Sequence, residues 1–372
     1  MSVEWHKLGE YIEVSTKHNA DIKYGTELIE GVNSVGEFCK PKACLDGIDL
    51  KPYKIVRPGD FVYNPSRINI GSLAYRKNPM CIVSHLYVVF HLTKYGKTKL
   101  IAEYLFLYLQ RDEFRRLVTY RNFGSQRPEF NFRQMCEVEI PVPRIAEQRK
   151  VVEAWQGLRK TKEENEQLAE PLLALCRSYL QEIKKKCGYV SLGDYIERCE
   201  DRNGDGKFGE ECLLGVNNQH EFCPTRASTQ GVDMRQYQVV RKNEFVYNPA
   251  RLDIGSIGLF NGDVCIVSTL YEVFRIKSCH KNELLSEFLM LWFERSEFIR
   301  YVGFANWGSA REYFWLDAMC RVKIPLPPIE VQQAVVDLYR CANEAKKIAA
   351  EADKLSREIC PALIQRVVRE VA

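Results

Sequence analysis

Two short blocks of the chain carry residue types suited to reading a base or gripping a phosphate. They are Tyr63-Asn64-Pro65-Ser66-Arg67-Ile68-Asn69-Ile70-Gly71-Ser72 and Tyr247-Asn248-Pro249-Ala250-Arg251-Leu252-Asp253-Ile254-Gly255-Ser256. An exposed arginine can fork onto guanine O6 and N7 or onto a phosphate, and Asn69 has the amide that pairs with adenine. The competing role for each arginine is an ion pair with a nearby carboxylate that stabilises the turn. Asn-Pro also opens the motif with which amino-methyltransferases stack a flipped base, but that motif needs an aromatic in fourth place. Arg67 and Arg251 stand there instead, and no glycine-rich cofactor loop precedes either block. A second pair of segments, Phe123-Gly124-Ser125-Gln126-Arg127 and Trp307-Gly308-Ser309-Ala310-Arg311, sets a polar, basic tip beside an aromatic. Glycine there lets the backbone approach a phosphate, and the polar side chains can reach base edges. The candidate DNA-contacting residues are therefore Tyr63, Asn64, Arg67, Asn69, Ser125, Gln126, Arg127, Tyr247, Asn248, Arg251, Ser309 and Arg311.

Other chemistries are poorly served. Asp201-Arg202-Asn203-Gly204-Asp205-Gly206 begins like a calcium loop, yet its twelfth position is Cys212 where a bidentate glutamate is required. A polar turn is expected, with no metal. The 14 cysteines include no Cys-x-x-Cys pair, so a zinc site is not expected. Cys39, Cys81, Cys136 and Cys176 recur as Cys223, Cys265, Cys320 and Cys360, a pattern that reads as reduced, mostly buried thiols. Of the six histidines, only His220 lies near another ligand type, Cys223. No Ser-His-Asp set or carboxylate pair recurs, so neither catalytic residues nor a bound cofactor are expected in this chain.

The elements that must position these loops are written twice. The blocks are offset by 184 residues, and the same offset carries Leu8–Glu13 onto Leu192–Glu197, Gly31–Asn33 onto Gly215–Asn217, Cys81–Ser84 onto Cys265–Ser268 and Ile140–Pro143 onto Ile324–Pro327. In each copy short β-like runs come first; in the second they are Tyr237–Val240, Glu244–Tyr247, Ser256–Phe260, Val264–Ser268 and Tyr271–Ile276. Asn261-Gly262-Asp263 reads as a hairpin-type turn between two of them. One helix follows, over Lys99–Thr119 and Asn282–Tyr301, then the Gly-Ser-x-Arg loop and a Pro-x-Pro element. Both copies end in a long helix. Ile145–Lys186 places Val151, Trp155, Leu158, Leu168, Leu172, Leu175, Tyr179 and Ile183 on one apolar stripe. Ile329–Glu370 does so with Val335, Leu338, Ala342, Ala345, Ala349, Ala352, Leu355, Ile359 and Val367. Each makes a rod of roughly 60 Å, and two such rods in one chain most simply pack on each other, with Pro171 and Pro361 as kink positions. Two like modules held apart by rods suit a ligand with two sites at a set spacing, and duplex DNA is such a ligand.

Composition sets the outer bounds. The chain has 372 residues, enough for two to three domains. With 46% hydrophobic and 27% charged residues it is not a disordered protein. Its net charge of only +4 means that any nucleic-acid surface must be local. No apolar run is long enough to span a membrane, and the opening Met1–Val14 stretch has no apolar core of a secretory signal, so a cytoplasmic protein without a membrane partner is expected.

This layout resembles the specificity subunit of type I restriction–modification systems. The most specific segment is Ile140-Pro141-Val142-Pro143-Arg144-Ile145-Ala146-Glu147-Gln148-Arg149, with a weaker copy at Ile324-Pro325-Leu326-Pro327-Pro328-Ile329-Glu330-Val331-Gln332-Gln333. The second copy has Val331-Gln332 where the first has Glu147-Gln148, and a weaker partner contact is expected there. The resemblance implies a mixed α/β (α+β) fold: two repeated target-recognition domains joined by a coiled-coil pair of long antiparallel helices, with pseudo-two-fold symmetry. The domains would be 1–143 and 188–327, the helices 144–187 and 328–372. It further implies a non-catalytic subunit that reads a bipartite sequence in double-stranded DNA and directs two methyltransferase subunits to it. S-adenosylmethionine would be held by those partners, and a restriction subunit is left open. A scaffold that joins proteins without reading DNA, or a duplicated stand-alone methyltransferase or nuclease, are the alternatives.

Overall fold

A four-stranded antiparallel sheet lies at the centre of each copy. In the first its strands run in the order Ile12–Val14, Val88–Leu92, Asp60–Tyr63, Leu73–Tyr75. In the second the order is Ile196–Arg198, Glu272–Ile276, Phe245–Tyr247, Ile257–Leu259. The register repeats as well: Ile12 faces Leu92 as Ile196 faces Ile276, and Phe61 faces Phe90 as Phe245 faces Phe274. The computed structural model describes residues 5–41, 45, 47–77, 79–122, 129–225, 231–306 and 313–370.

Strand alternation divides the apolar residues between two faces. Phe61, Tyr63, Phe90 and Leu92 enter one core together with Tyr104, Leu105, Phe114 and Val118 of the helices. Val62, Val89 and Ala74 point the other way, into a smaller core closed by Val56, Cys81 and Val83. The second copy repeats the division, with Phe245, Tyr247 and Phe274 on the helix side and Val246 and Val273 opposite. The cross-strand rings stack with centroids 4.9 Å apart for Phe61–Phe90 and 4.8 Å for Phe245–Phe274, so aromatic pairs as well as area hold the register.

Three details differ from the expectation. Asn261-Gly262-Asp263 does not close a hairpin. Ile257–Leu259 pairs with Phe245–Tyr247, whereas Val264–Val267 pairs with Gln238–Arg241 in a separate sheet. The turn therefore passes the chain between sheets, as local turn chemistry alone cannot reveal. The single helix expected over Lys99–Thr119 is Ala102–Leu109 followed by Asp112–Arg121, and its counterpart is Ser286–Phe293 followed by Ser296–Asn306. At the first break Gln110 Nε2 donates to the sheet carbonyl of Leu73 at 2.5 Å, and the Arg111 guanidinium lies over the Tyr108 ring. At the second the Arg295 guanidinium lies 4.2 Å from the Trp292 ring centroid. The cysteines are mostly not core: of those described, Cys81, Cys176, Cys199 and Cys265 are buried, while Cys39, Cys279 and Cys341 are exposed. Those outside the apolar strands and helix stripes have nothing to bury them.

The long helices are Ile145–Lys186 and Ile329–Glu370, and both stay helical through their prolines. The chain divides into two units, Met1–Asn165 with Lys347–Ala372, and Glu166–Lys346. Within the first, Lys162 Nζ meets Asp353 Oδ1 at 2.9 Å, and Val151 and Val152 share a core with Ile364, an antiparallel pairing. Within the second, Cys176, Leu180 and Ile183 share a core with Val335 and Val336, and Cys176 Sγ donates to the Val335 carbonyl. The expected stripe is one position off in this stretch. Leu168, Leu175 and Tyr179 are exposed, and Ala169, Cys176 and Leu180 are buried in their place. Small residues carry the packed face here, which a search for bulky apolar side chains passes over. Among the described residues no helix is long and apolar enough to cross a membrane.

Candidate nucleic-acid interface

One end of the central sheet gathers the loops of interest. Tyr63 faces both Val88 and Leu73, so the 64–72 loop and the 84–87 turn leave the sheet at the same edge. The backbone of the 64–72 loop is closed upon itself. Asn64 N–H donates to the Ser72 carbonyl, Arg67 N–H to that of Asn64, and Ser72 N–H to that of Arg67. The Asn64 side-chain oxygen accepts from Ser66 N–H at 3.0 Å, an Asx turn. Gly71 ends the turn at φ +98°, and a Cβ there would sit 2.3 Å from the Ser34 carbonyl oxygen, so only glycine fits. Ser72 Oγ then donates to the Val32 carbonyl at 3.0 Å. The second loop is built alike, with Asn248 Oδ1 accepting from Ala250 N–H and Ser256 Oγ donating to Val216 at 2.8 Å.

What this closure leaves outward is the arginine. Arg67 and Arg251 are exposed, and among the described residues neither pairs with a carboxylate. Asn69 is half-buried, and Asp253 in its place is exposed. Asn64 and Asn248 are half-buried with their side-chain oxygens committed to the loops. Tyr63 and Tyr247 require a correction. Both rings are fully buried against Phe90 and Phe274, so they belong to the core and not to a contact surface. The strand period explains this, because they alternate with Val62 and Val246 and face the helices. Ser125, Gln126, Arg127, Ser309 and Arg311 lie outside the described residues. Two residues beyond each undescribed stretch the chain is placed: Phe130 N–H donates to the Pro65 carbonyl and Phe314 N–H to that of Pro249, both at 3.0 Å. Phe130 and Phe314 thus lie beside the Asn-Pro-x-Arg loops.

The copies differ behind the loop. In the first, Gln110 holds the Leu73 carbonyl. In the second the corresponding Ile257 carbonyl is bound by His220 Nδ1 at 2.9 Å, and Glu294 replaces Gln110. Glu294 accepts from the Tyr339 hydroxyl at 2.5 Å, and burial holds its carboxyl above the ordinary range. The Asp201–Gly206 segment is a turn in which buried Asn203 donates to the Phe208 and Met234 carbonyls and accepts from Phe208 N–H. Asn19 locks the matching turn through Tyr24. Among the described residues no group of three or more His, Cys, Asp or Glu is placed to hold a metal ion.

The Pro-x-Pro segment latches each module to the helix it opens. Gln148 is fully buried; its Oε1 accepts from Ile101 N–H, and its Nε2 donates to the Lys99 and Pro143 carbonyls, all at 2.8 Å. Gln332 repeats the set with Leu285 N–H and the Glu283 and Pro327 carbonyls. The motif in sequence marks only a junction, with a weaker partner contact expected at its second copy, and does not by itself reveal the glutamines as structural latches. Their recurrence at the 184-residue offset was the available signal. The latch is equally complete in both copies, because both glutamines are interior.

Two copies of a loop-bearing sheet, each locked to a long helix, define a duplicated recognition fold. Residues 7–172 match the family model of the type I restriction modification DNA specificity domain. No curated protein matches the chain. Among solved structures, the S subunit of a type I restriction–modification system from M. genitalium is similar over 98% of this chain and 96% of that one, with TM-score 0.61 and 12% identity. The HsdS subunit from Thermoanaerobacter tengcongensis is similar over 99% and 97%, with TM-score 0.44 and 17% identity. The first of these likenesses shows that the fold is shared: two mixed α/β domains joined by long helices.

Proposed function

We propose that the chain is the non-catalytic DNA-specificity subunit of a type I restriction–modification complex. Each module reads one half of a bipartite target, and the long helices set the spacing and dock methyltransferase subunits, which hold S-adenosylmethionine and methylate adenine within the site. Whether a restriction subunit joins the same complex stays open. The domains by this reading are 1–143 and 188–327, on helices 144–187 and 328–372. The observation that carries it is the recurrence of a self-closed loop presenting one exposed arginine, with no carboxylate partner among the described residues, in each of two modules latched to a helix. A guanidinium so held can fork onto a guanine or a phosphate without disturbing the loop that supports it.

The test is a methylation map of the host genome with the gene intact, deleted, and carrying Arg67→Ala or Arg251→Ala. One split methylation motif is lost on deletion, and each variant relaxes or weakens only its own half-site. For an arginine that reads a base the affinity loss is about 1–3 kcal/mol. A map unchanged on deletion, with the methyltransferase expressed, overturns the reading.

A further inference from the structure

The four most exposed large apolar side chains among the described residues form two repeat-related pairs: Tyr120 at 81% with Phe304 at 75%, and Leu86 at 66% with Leu270 at 70%. Each pair is separated by the same 184 residues that relate the modules. A single exposed leucine or tyrosine is ordinary surface. Exposure kept at matching positions of both copies is not accounted for by packing, because these side chains cover nothing.

Their placement is specific. Tyr120 lies in the last turn of the Asp112–Arg121 helix, which packs on the Ile68–Ile70 turn of the Arg67 loop. Phe304 occupies the same place in the Ser296–Asn306 helix, which packs on the Leu252–Ile254 turn. Leu86 and Leu270 sit in the turns that enter the Val88–Leu92 and Glu272–Ile276 strands at the same sheet edge. One helical turn before each aromatic stands an exposed arginine, Arg116 and Arg300, and side chains four apart share a helix face. Arg116 has one acidic neighbour, Glu113, at 3.9 Å across a well-solvated gap. Each module therefore presents Arg-x-x-x-aromatic on a helix that packs on the turn following the exposed arginine of its loop. Cations flanking a bare ring complement a polyanion whose bases offer π faces, and they do not suit an apolar protein groove.

Resting on the reading of the chain as a DNA-specificity subunit, we propose that Tyr120 and Phe304 act as wedges on the base stack. Arg116 and Arg300 anchor the adjacent phosphates, and each ring packs into or against one base step of its half-site. Apolar wedges of this kind unstack and kink a duplex, adding a dependence on how easily that step deforms to whatever the loop arginines read directly. Leu86 and Leu270 support the same contact from the sheet edge.

The experiment uses the full chain with its methyltransferase partner, on duplexes bearing the split site. 2-Aminopurine is placed in turn at each position other than the methylated adenines. The wild-type complex raises the fluorescence at one step in each half-site. Tyr120→Ala abolishes the rise in the first half-site only and weakens binding about tenfold, the scale of one lost aromatic stack; Phe304→Ala does so in the second only. Tyr120→Phe keeps both signal and affinity, since the ring and not the hydroxyl acts. Unchanged affinity and fluorescence in both alanine variants overturn the proposal. So does release of the methyltransferase by either variant in size-exclusion chromatography, which would make the rings a protein-docking surface. A wild-type complex that binds no split site instead sinks the specificity-subunit reading itself, and the wedge with it.

Discussion

At the scale of single residues, identity and position part company most clearly at Tyr63 and Tyr247. Both stand at the head of the loop motif, where a tyrosine would serve well against DNA, yet the strand alternation turns them into the core. Their hydroxyls are buried and have no hydrogen-bond partner among the described residues, and burial pushes both phenols far above the ordinary range. An unpaired buried hydroxyl costs stability that an apolar ring of the same shape does not. Tyr63→Phe is therefore expected to raise unfolding stability by about 1 kcal/mol, measured in a denaturant titration, and to leave DNA affinity unchanged. A loss of affinity would place the ring at the interface after all. Arg67 shows the converse case. Its exposure, and its lack of a carboxylate partner among the described residues, could not be read from the sequence, where an ion pair fitted equally well.

At the scale of elements, the most informative piece is the junction between module and helix. The helix begins with a glutamine whose three hydrogen bonds reach the segment before the Ala102–Leu109 helix and the Pro-x-Pro turn. Replacing Gln148 by Leu leaves one buried N–H and two carbonyls without their partner. The expected loss is about 3 kcal/mol, and the Gln332→Leu variant should match it, since its three bonds are the same. Denaturant unfolding of the two variants measures this; a cost below 1 kcal/mol for either would show that the latch is replaceable by packing. The elements also show where period alone misled. Gln110 and Glu294 look like surface residues of one continuous helix, but each sits at a break where its side chain bonds elsewhere, Gln110 to the sheet and Glu294 to Tyr339. In the long helix the buried stripe runs through Ala169 and Cys176 rather than their bulkier neighbours.

At the scale of the whole molecule, duplication governs the reading of function. The supporting residues are shared by the modules: Gly71 and Gly255, Ser72 and Ser256, Gln148 and Gln332. Residues of the candidate loops differ, with Ser66 against Ala250, Asn69 against Asp253 and, in sequence, Gln126 against Ala310. Like frames with unlike tips are expected to read unlike half-sites. The methylation map should therefore return a split motif that is not a palindrome, and a strict palindrome would show that these tips do not choose bases.

The sequence by itself determined the duplication, the long helices to within a residue or two, and the strands from Gln238 to Ile276 of the second module, while passing over others such as Ile196–Arg198. These follow from periodicity, from turn chemistry and from a repeat that supplies its own comparison. The tertiary structure alone decided which strands pair, since Asn261-Gly262-Asp263 is the same turn whether it closes a hairpin or joins two sheets. It alone decided that Tyr63 is core, that Arg67 is exposed, and that Tyr120 and Phe304 stand bare beside an arginine. Those outcomes depend on what the rest of the chain brings to each side chain, and burial and partnership are properties of the packed molecule, not of local sequence.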